Sequence, residues 1–147
     1  MKSKLALCAV FCLLYSLLSA QGLETTIYLP DSLGGTVGPQ CLAYNPVNNR
    51  IYVGGAGVNC VIAIDGATNL KAARIAAGRW VKALCCNPSN DKVYCANESS
   101  ASVTVIDGAA DSAIATVAVG VRPYALCYNP DQQSVLREQR QLQRKCD

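Results

Sequence analysis

Apolar residues between positions 37 and 132 fall in short alternating runs, and each run is closed by Asn, Pro, Asp or Gly. A period of two, broken often by turn residues, predicts an antiparallel meander of strands rather than helices. In the clearest stretch the predicted strands are 82–86, 92–96, 102–106 and 113–119. Pro88 in the first gap has a fixed φ and no backbone donor, which suits a turn and not a ladder. Gly108 in the third gap accepts a positive φ, as a tight strand connection requires.

The pattern repeats. Asn45-Pro46, Asn87-Pro88 and Asn129-Pro130 follow one another at a constant spacing of 42 residues. Leu42, Leu84 and Leu126 keep that spacing, as do Tyr52 and Tyr94, Gly78 and Gly120, and the segments Ile64-Asp65-Gly66-Ala67 and Ile106-Asp107-Gly108-Ala109. Four short strands in a unit of this length is the size of one propeller blade, whereas solenoid repeats of similar length are mainly helical.

Two segments make the likeness specific: Ile51-Tyr52-Val53-Gly54-Gly55 and Val93-Tyr94-Cys95-Ala96-Asn97. Each follows an Asn-Pro turn and precedes a Val-x-Val-Ile-Asp-Gly-like run. With these motifs, residues 37–132 resemble the YVTN-type β-propeller repeat, although the Val-Thr-Asn after tyrosine is replaced in both copies. The resemblance implies an all-β fold, a partial β-propeller of about two to three four-stranded antiparallel blades. The family includes surface-layer and cofactor-domain proteins, so the resemblance implies no single activity.

The expected organisation is a signal peptide at 1–20, a leading strand and loop of a preceding blade at 21–36, and blade repeats at 37–78 and 79–120. The start of a third repeat follows at 121–133, then an anomalous tail at 134–147. Lys2 and Lys4 precede an apolar run that ends in Ser19-Ala20-Gln21, the layout of a secretory signal cleaved after Ala20. That run is shorter than the roughly 20 residues needed to span a bilayer, so no stable membrane span is expected after cleavage. The expected location is secreted, periplasmic or cell-surface. A ring needs about four to eight blades, so the chain reads as a fragment of a propeller, with self-association through open blade faces.

Residues 134–147 break the repeat. Their Leu, Arg, Gln, Glu and Lys content favours a short C-terminal helix. Back-translated and read one base later, residues 133–147 reproduce most of residues 92–106, so a frame shift is the expected origin of this tail.

Composition narrows the chemistry. The formal charge of +3 owes much to Arg137, Arg140, Arg144 and Lys145 in the tail, so no basic face points to nucleic acid. Histidine is absent, which removes the base of a serine or cysteine triad and leaves little for zinc. Nine cysteines suggest a disulfide framework, but Cys8 and Cys12 lie in the signal peptide and Cys146 in the tail. Cys41 aligns with Ala83 and Ala125, Cys85 with Ala43, and Cys95 with Val53, so these thiols read as compact core residues.

Other motifs have structural readings. Asp65 and Asp107 recur before glycine and read as turn residues. Tyr52 and Tyr94 read as blade packing. Gly54-Gly55-Ala56-Gly57 precedes a strand, not the helix that a phosphate loop needs. Asn97-Glu98-Ser99 matches a glycosylation acceptor. Trp80, the single tryptophan, is the one binding candidate, set between blades beside Arg79 and Lys82.

No catalytic, cofactor-binding or metal residues are assigned, and no cofactor is expected. The leading expectation is a noncatalytic structural or protein-binding propeller with protein or cell-surface partners. One alternative is part of a propeller enzyme or cofactor-binding domain whose active site lies in other blades. The other is a truncated product without function.

Overall fold

The computed structural model describes residues 38–132 and 134–139, together with Thr26. The signal peptide, the leading strand and the last part of the tail lie outside the described residues. Ten strands follow in order: β1 Pro39–Asn45, β2 Arg50–Gly55, β3 Cys60–Asp65, β4 Lys71–Ala76, β5 Val81–Asn87, β6 Lys92–Asn97, β7 Ser102–Asp107, β8 Ser112–Ala118, β9 Pro123–Asn129 and β10 Ser134–Gln139. They form two four-stranded antiparallel meanders, β1 to β4 and β5 to β8, and a two-stranded hairpin of β9 and β10.

The repeat in sequence is a repeat in register. Asn45 pairs with Arg50, Asn87 with Lys92, and Asn129 with Ser134. Each first strand carries an irregularity near its start, at Pro39/Cys41, Val81/Ala83 and Pro123/Ala125. The third strands of both meanders shift register at equivalent places, after Ala63 and after Val105. Bulges of this kind bend a strand and tighten its twist.

The Asn-Pro motif has a direct cause. In all three copies the asparagine Oδ1 accepts the N–H two residues on, from Val47, Ser89 and Asp131, each at 3.0 Å. This side-chain turn reverses the chain around a proline that cannot donate. The left-handed residue that completes the turn is Asn49 (φ 53) or Asp91 (φ 52), and the β3–β4 and β7–β8 turns use Asn69 and Asp111 likewise. Asn and Asp tolerate that conformation better than other side chains with a Cβ.

Strands of the first sheet present alternate residues to the second. Tyr52, Val61, Ala63 and Ile75 meet Val81, Val93, Cys95 and Ile106 in one apolar cluster. The other face of the first sheet holds a separate cluster of Val53, Cys60, Ile62 and Ile64. The six described cysteines are free thiols, and Cys60 and Cys95 are fully buried as small core residues. Burial pushes the Cys41 and Cys86 thiols up to about 11. Gly54 stands where the sheets approach most closely, and a Cβ there would collide with Val81.

A polar seam crosses the turn end of this interface. The Tyr52 hydroxyl, fully buried, donates to Asp111 Oδ1 at 2.8 Å and accepts from Asn48 Nδ2 at 3.3 Å. Asn45 Nδ2 donates to Asp91 Oδ1 at 2.6 Å, and Asn48 Nδ2 to the Gly108 carbonyl at 2.6 Å. A Cβ at Gly108 would strike the Asp91 and Asn45 side chains and displace the bond between them.

The tail corrects one expectation. Ser134–Gln139 is a strand, not the start of a helix, and it pairs with β9 in the register that β6 uses with β5. The Asn129 turn aims the chain back along β9, and Val135 falls at the repeat position of Ile51 and Val93. An exposed partner edge and one apolar match therefore outweigh the helix propensity of the segment. The hairpin reaches only the inner part of the second sheet. Val117 is accordingly 53% exposed, while its counterpart Ile75, under the second sheet, is 2% exposed.

Tyr52→Phe should lower unfolding free energy by about 1.5–3 kcal/mol, the scale of a buried hydrogen bond to a charged group. Tyr94→Phe, at the same position one repeat later and only half-buried, should stay within about 0.5 kcal/mol of the parent. Urea denaturation of both variants checks this, and equal losses would contradict the seam.

Candidate functional site

Because strands alternate in direction, the blades have two ends of opposite chemistry. The first end, at the β1–β2, β3–β4, β5–β6 and β7–β8 turns, carries Asp65, Asp91, Asp107 and Asp111. These carboxylates are engaged in structure. Asp65 Oδ1 accepts the N–H groups of Ala67 at 3.0 Å and Thr68 at 2.9 Å, and its other oxygen pairs with Arg50. Asp107 accepts from Ala110 at 3.0 Å and pairs with Lys92, one repeat on from Arg50. The Thr68 and Ala67 N–H groups hold the Asp65 carboxyl below its usual range, and Lys92 with the Ala110 N–H does so for Asp107. Among the described residues no three metal-ligating side chains converge.

At the opposite end the first strands of the three repeats begin, and here the repeats differ. Gln40, Lys82 and Tyr124 are each the second residue of β1, β5 and β9, one repeat apart. Gln40 Oε1 accepts from Lys82 Nζ at 3.2 Å and from Trp80 Nε1 at 3.0 Å. Lys82 Nζ also stands 5.4 Å from the centre of the Tyr124 ring, a cation–π distance. Three repeats are thus linked by side chains across the inner strands.

Trp80 occupies a conformation set by the repeat and not by its own preference. Gly38, Trp80 and Arg122 hold equivalent positions and share a left-handed backbone, with φ of 68, 57 and 52. Glycine accepts this freely, whereas a bulky residue is held there against a strain on the order of 1–3 kcal/mol. The backbone around Trp80 is fastened: its carbonyl accepts from Glu98 N–H at 2.9 Å, and Arg79 N–H donates to Ser100 Oγ at 2.7 Å. The indole remains 41% exposed.

Shallow recesses lie between neighbouring blades at this end. One of about 100 Å³ is bounded by Val58, Asn59, Arg79, Trp80 and Ser99. Its repeat-shifted counterpart of about 340 Å³ is bounded by Glu98, Ser99, Ala101, Val121 and Arg122. Arg79, Lys82 and Arg122 are cations at this end, and Glu98 and, by its register opposite Ala125, Glu138 are acids there.

The sequence singled out Trp80 but not its partners. Gln40, Lys82 and Tyr124 were detectable as one repeat position with three chemistries, yet nothing in the chain marks that position as exposed. The glycosylation motif changes meaning in the fold. Asn97 ends β6, is fully buried, and donates from Nδ2 to Ser102 Oγ at 3.1 Å and Thr104 Oγ1 at 2.9 Å, so its amide is closed to a glycan in the folded chain. Gly54 and Gly55 belong to β2 and serve close packing.

All these features define a class. The chain is an all-β partial propeller with two four-stranded blades and the inner strands of a third. A chain described as Kuenenia stuttgartiensis hydrazine synthase superposes with a TM-score of 0.66 at 20% identity, covering 81% of this chain and 33% of that one. A chain from the mitotic checkpoint complex superposes with a TM-score of 0.60 at 14% identity, covering 67% of this chain and 32% of that one. This chain therefore spans about a third of the length of the solved chains it matches. No protein-family description and no curated protein sequence matches it. Among the described residues, no helix is long and apolar enough to cross a membrane.

Both aspartates contribute stability that is fully present above their ordinary value of 3.8 and is lost as pH falls through their lowered folded values. A melting temperature that is level near neutrality should therefore drop below about pH 4, and less steeply in Asp65→Asn. Calorimetry across pH 2 to 7 checks the sign.

Proposed function

We propose that the chain is an exported, noncatalytic propeller module of the YVTN-repeat type, which binds a protein partner through the end bearing Gln40, Trp80, Lys82 and Tyr124. The observation that carries this reading is the contrast between repeated and unrepeated positions. The turn residue of Asn45, Asn87 and Asn129 and the tyrosine of Tyr52 and Tyr94 recur. At the exposed end, positions with the same backbone carry Gly, Trp and Arg, or Gln, Lys and Tyr. A turn bond or seam bond made again in each blade keeps its residue, whereas recognition of one partner is served by different residues at equivalent exposed positions.

The residue types also suit a protein interface, where Trp, Tyr and Arg are enriched and supply much of the binding energy. One structural neighbour is itself a chain of a protein complex, and it superposes on 67% of this chain. Export rests on the basic start and apolar run before Ala20. The exported product should begin at Gln21, which N-terminal sequencing from a secreting host reads directly. A product that retains Met1 would overturn export.

Panning of random peptides displayed on phage against the chain tests the binding role. Sequences that bind at least tenfold less well to Trp80→Ala, at unchanged melting temperature, are expected. An enrichment of none, or only of sequences indifferent to Trp80→Ala, would overturn the reading.

A further inference from the structure

The two ends of the blades differ in charge balance: the turn end holds five aspartates against Arg50, Lys71 and Lys92, and the other end holds three cations against Glu98 and Glu138. Asp65, Asp91, Asp107, Asp111 and Asp131 all lie at the turn end, where Arg50 and Lys92 are already paired with carboxylates. Arg79, Lys82 and Arg122 lie at the other end, and none of them is in an ion pair among the described residues. Lys82 is the least exposed of the three. It is half-buried, fixed between Gln40 Oε1 and the Tyr124 ring, and its ammonium has three donors, of which Gln40 takes one. The indole of Trp80 shares the same Gln40 oxygen and offers an open aromatic surface beside that charge. Trp80 and Arg122 are both held in a strained backbone at this end, and strain of this kind gathers at ligand clamps.

We infer that this end binds an acidic peptide segment, with Lys82 as the central contact to a carboxylate, Trp80 as the stacking wall, and Arg79 and Arg122 flanking. The inference rests on the binding role proposed above and adds the chemical class of the partner. A carboxylate placed at Lys82 would pair with an ammonium that is in none of the ion pairs among the described residues. A peptide fits better than a nucleic acid, because the cations are three separate residues at strand starts and do not form a stripe that tracks a phosphate backbone.

The test uses the full exported chain and the emission of its single tryptophan, Trp80. Titration with a hexaglutamate peptide should shift that emission saturably, and calorimetry should give the same affinity. Raising salt from 50 to 300 mM should weaken binding several-fold. Lys82→Gln should weaken it at least tenfold without lowering the melting temperature, and Lys82→Arg should restore most of it. Asp131→Asn, at the opposite end, should leave it unchanged. Hexalysine, inorganic phosphate and an oligothymidylate are the comparison probes. No saturable response to hexaglutamate, equal binding by Lys82→Gln, or equal binding of the oligothymidylate would each overturn the inference. If panning then still yields Trp80-dependent peptides that lack acidic residues, the binding role stands and only the acidic class falls.

Discussion

Everything in this chain depends on one blade closing over the next, and the tightest expression of that contact is the buried hydroxyl of Tyr52. It sits within the first sheet, yet its acceptor, Asp111, belongs to the second. An aromatic ring that fills an apolar interface can leave its hydroxyl in the interior only if an acceptor is waiting there. Asp111 is available because the β7–β8 turn holds it in a left-handed conformation, and it also meets Arg50 at 3.3 Å. Local turn chemistry in one blade thereby satisfies a packing residue in its neighbour. The Asn45 to Asp91 bond across Gly108 obeys the same rule.

The repeat also acts as its own control. Where copies share a turn asparagine or a paired charge, the structure gives it the same bond, as with the Asn-Pro turns and the Arg50–Asp65 and Lys92–Asp107 pairs, whereas the Tyr52 bond to Asp111 belongs to the interface between the first and second sheets. Departures between copies are informative for the same reason. Blade two replaces Gly55, Cys60 and Ile62 with Asn97, Ser102 and Thr104, and this change builds a small buried hydrogen-bonded group. Its cost shows in Asn97 Oδ1, which has no hydrogen-bond partner.

Much of this was legible beforehand. Strand positions, the blade unit and the turn roles of Asp65 and Asp107 followed from periodicity and from the conformational limits of Pro, Asn and Asp, whereas the positive φ expected at Gly108 falls on Asp111 instead. What could not be read were relations between blades. No property of Tyr52 as a residue points to Asp111, and Asn97 looked like a surface turn because its burial depends on Gly78 leaving room beside it. Trp80 could be suspected on rarity alone, but its backbone conformation is imposed by a position that Gly38 shares. The tail failed for a related reason: helix propensity is local, while the strand at 134–139 is dictated by the edge of β9.

The seam bonds have a further consequence, which concerns descent. Donors Asn45, Asn48 and Tyr52 come from one unit, and acceptors Asp91, Gly108 and Asp111 from the next. A duplication of one whole 42-residue unit repeats the kinds of donor and acceptor at the same spacing, because Asn87, Asn90 and Tyr94 match Asn45, Asn48 and Tyr52, and Asn49, Gly66 and Asn69 match Asp91, Gly108 and Asp111. Any event of another length shifts the ladder and the seam together. The interlock thus makes the whole blade the step by which such a gene can lengthen with a donor set and an acceptor set at each new boundary.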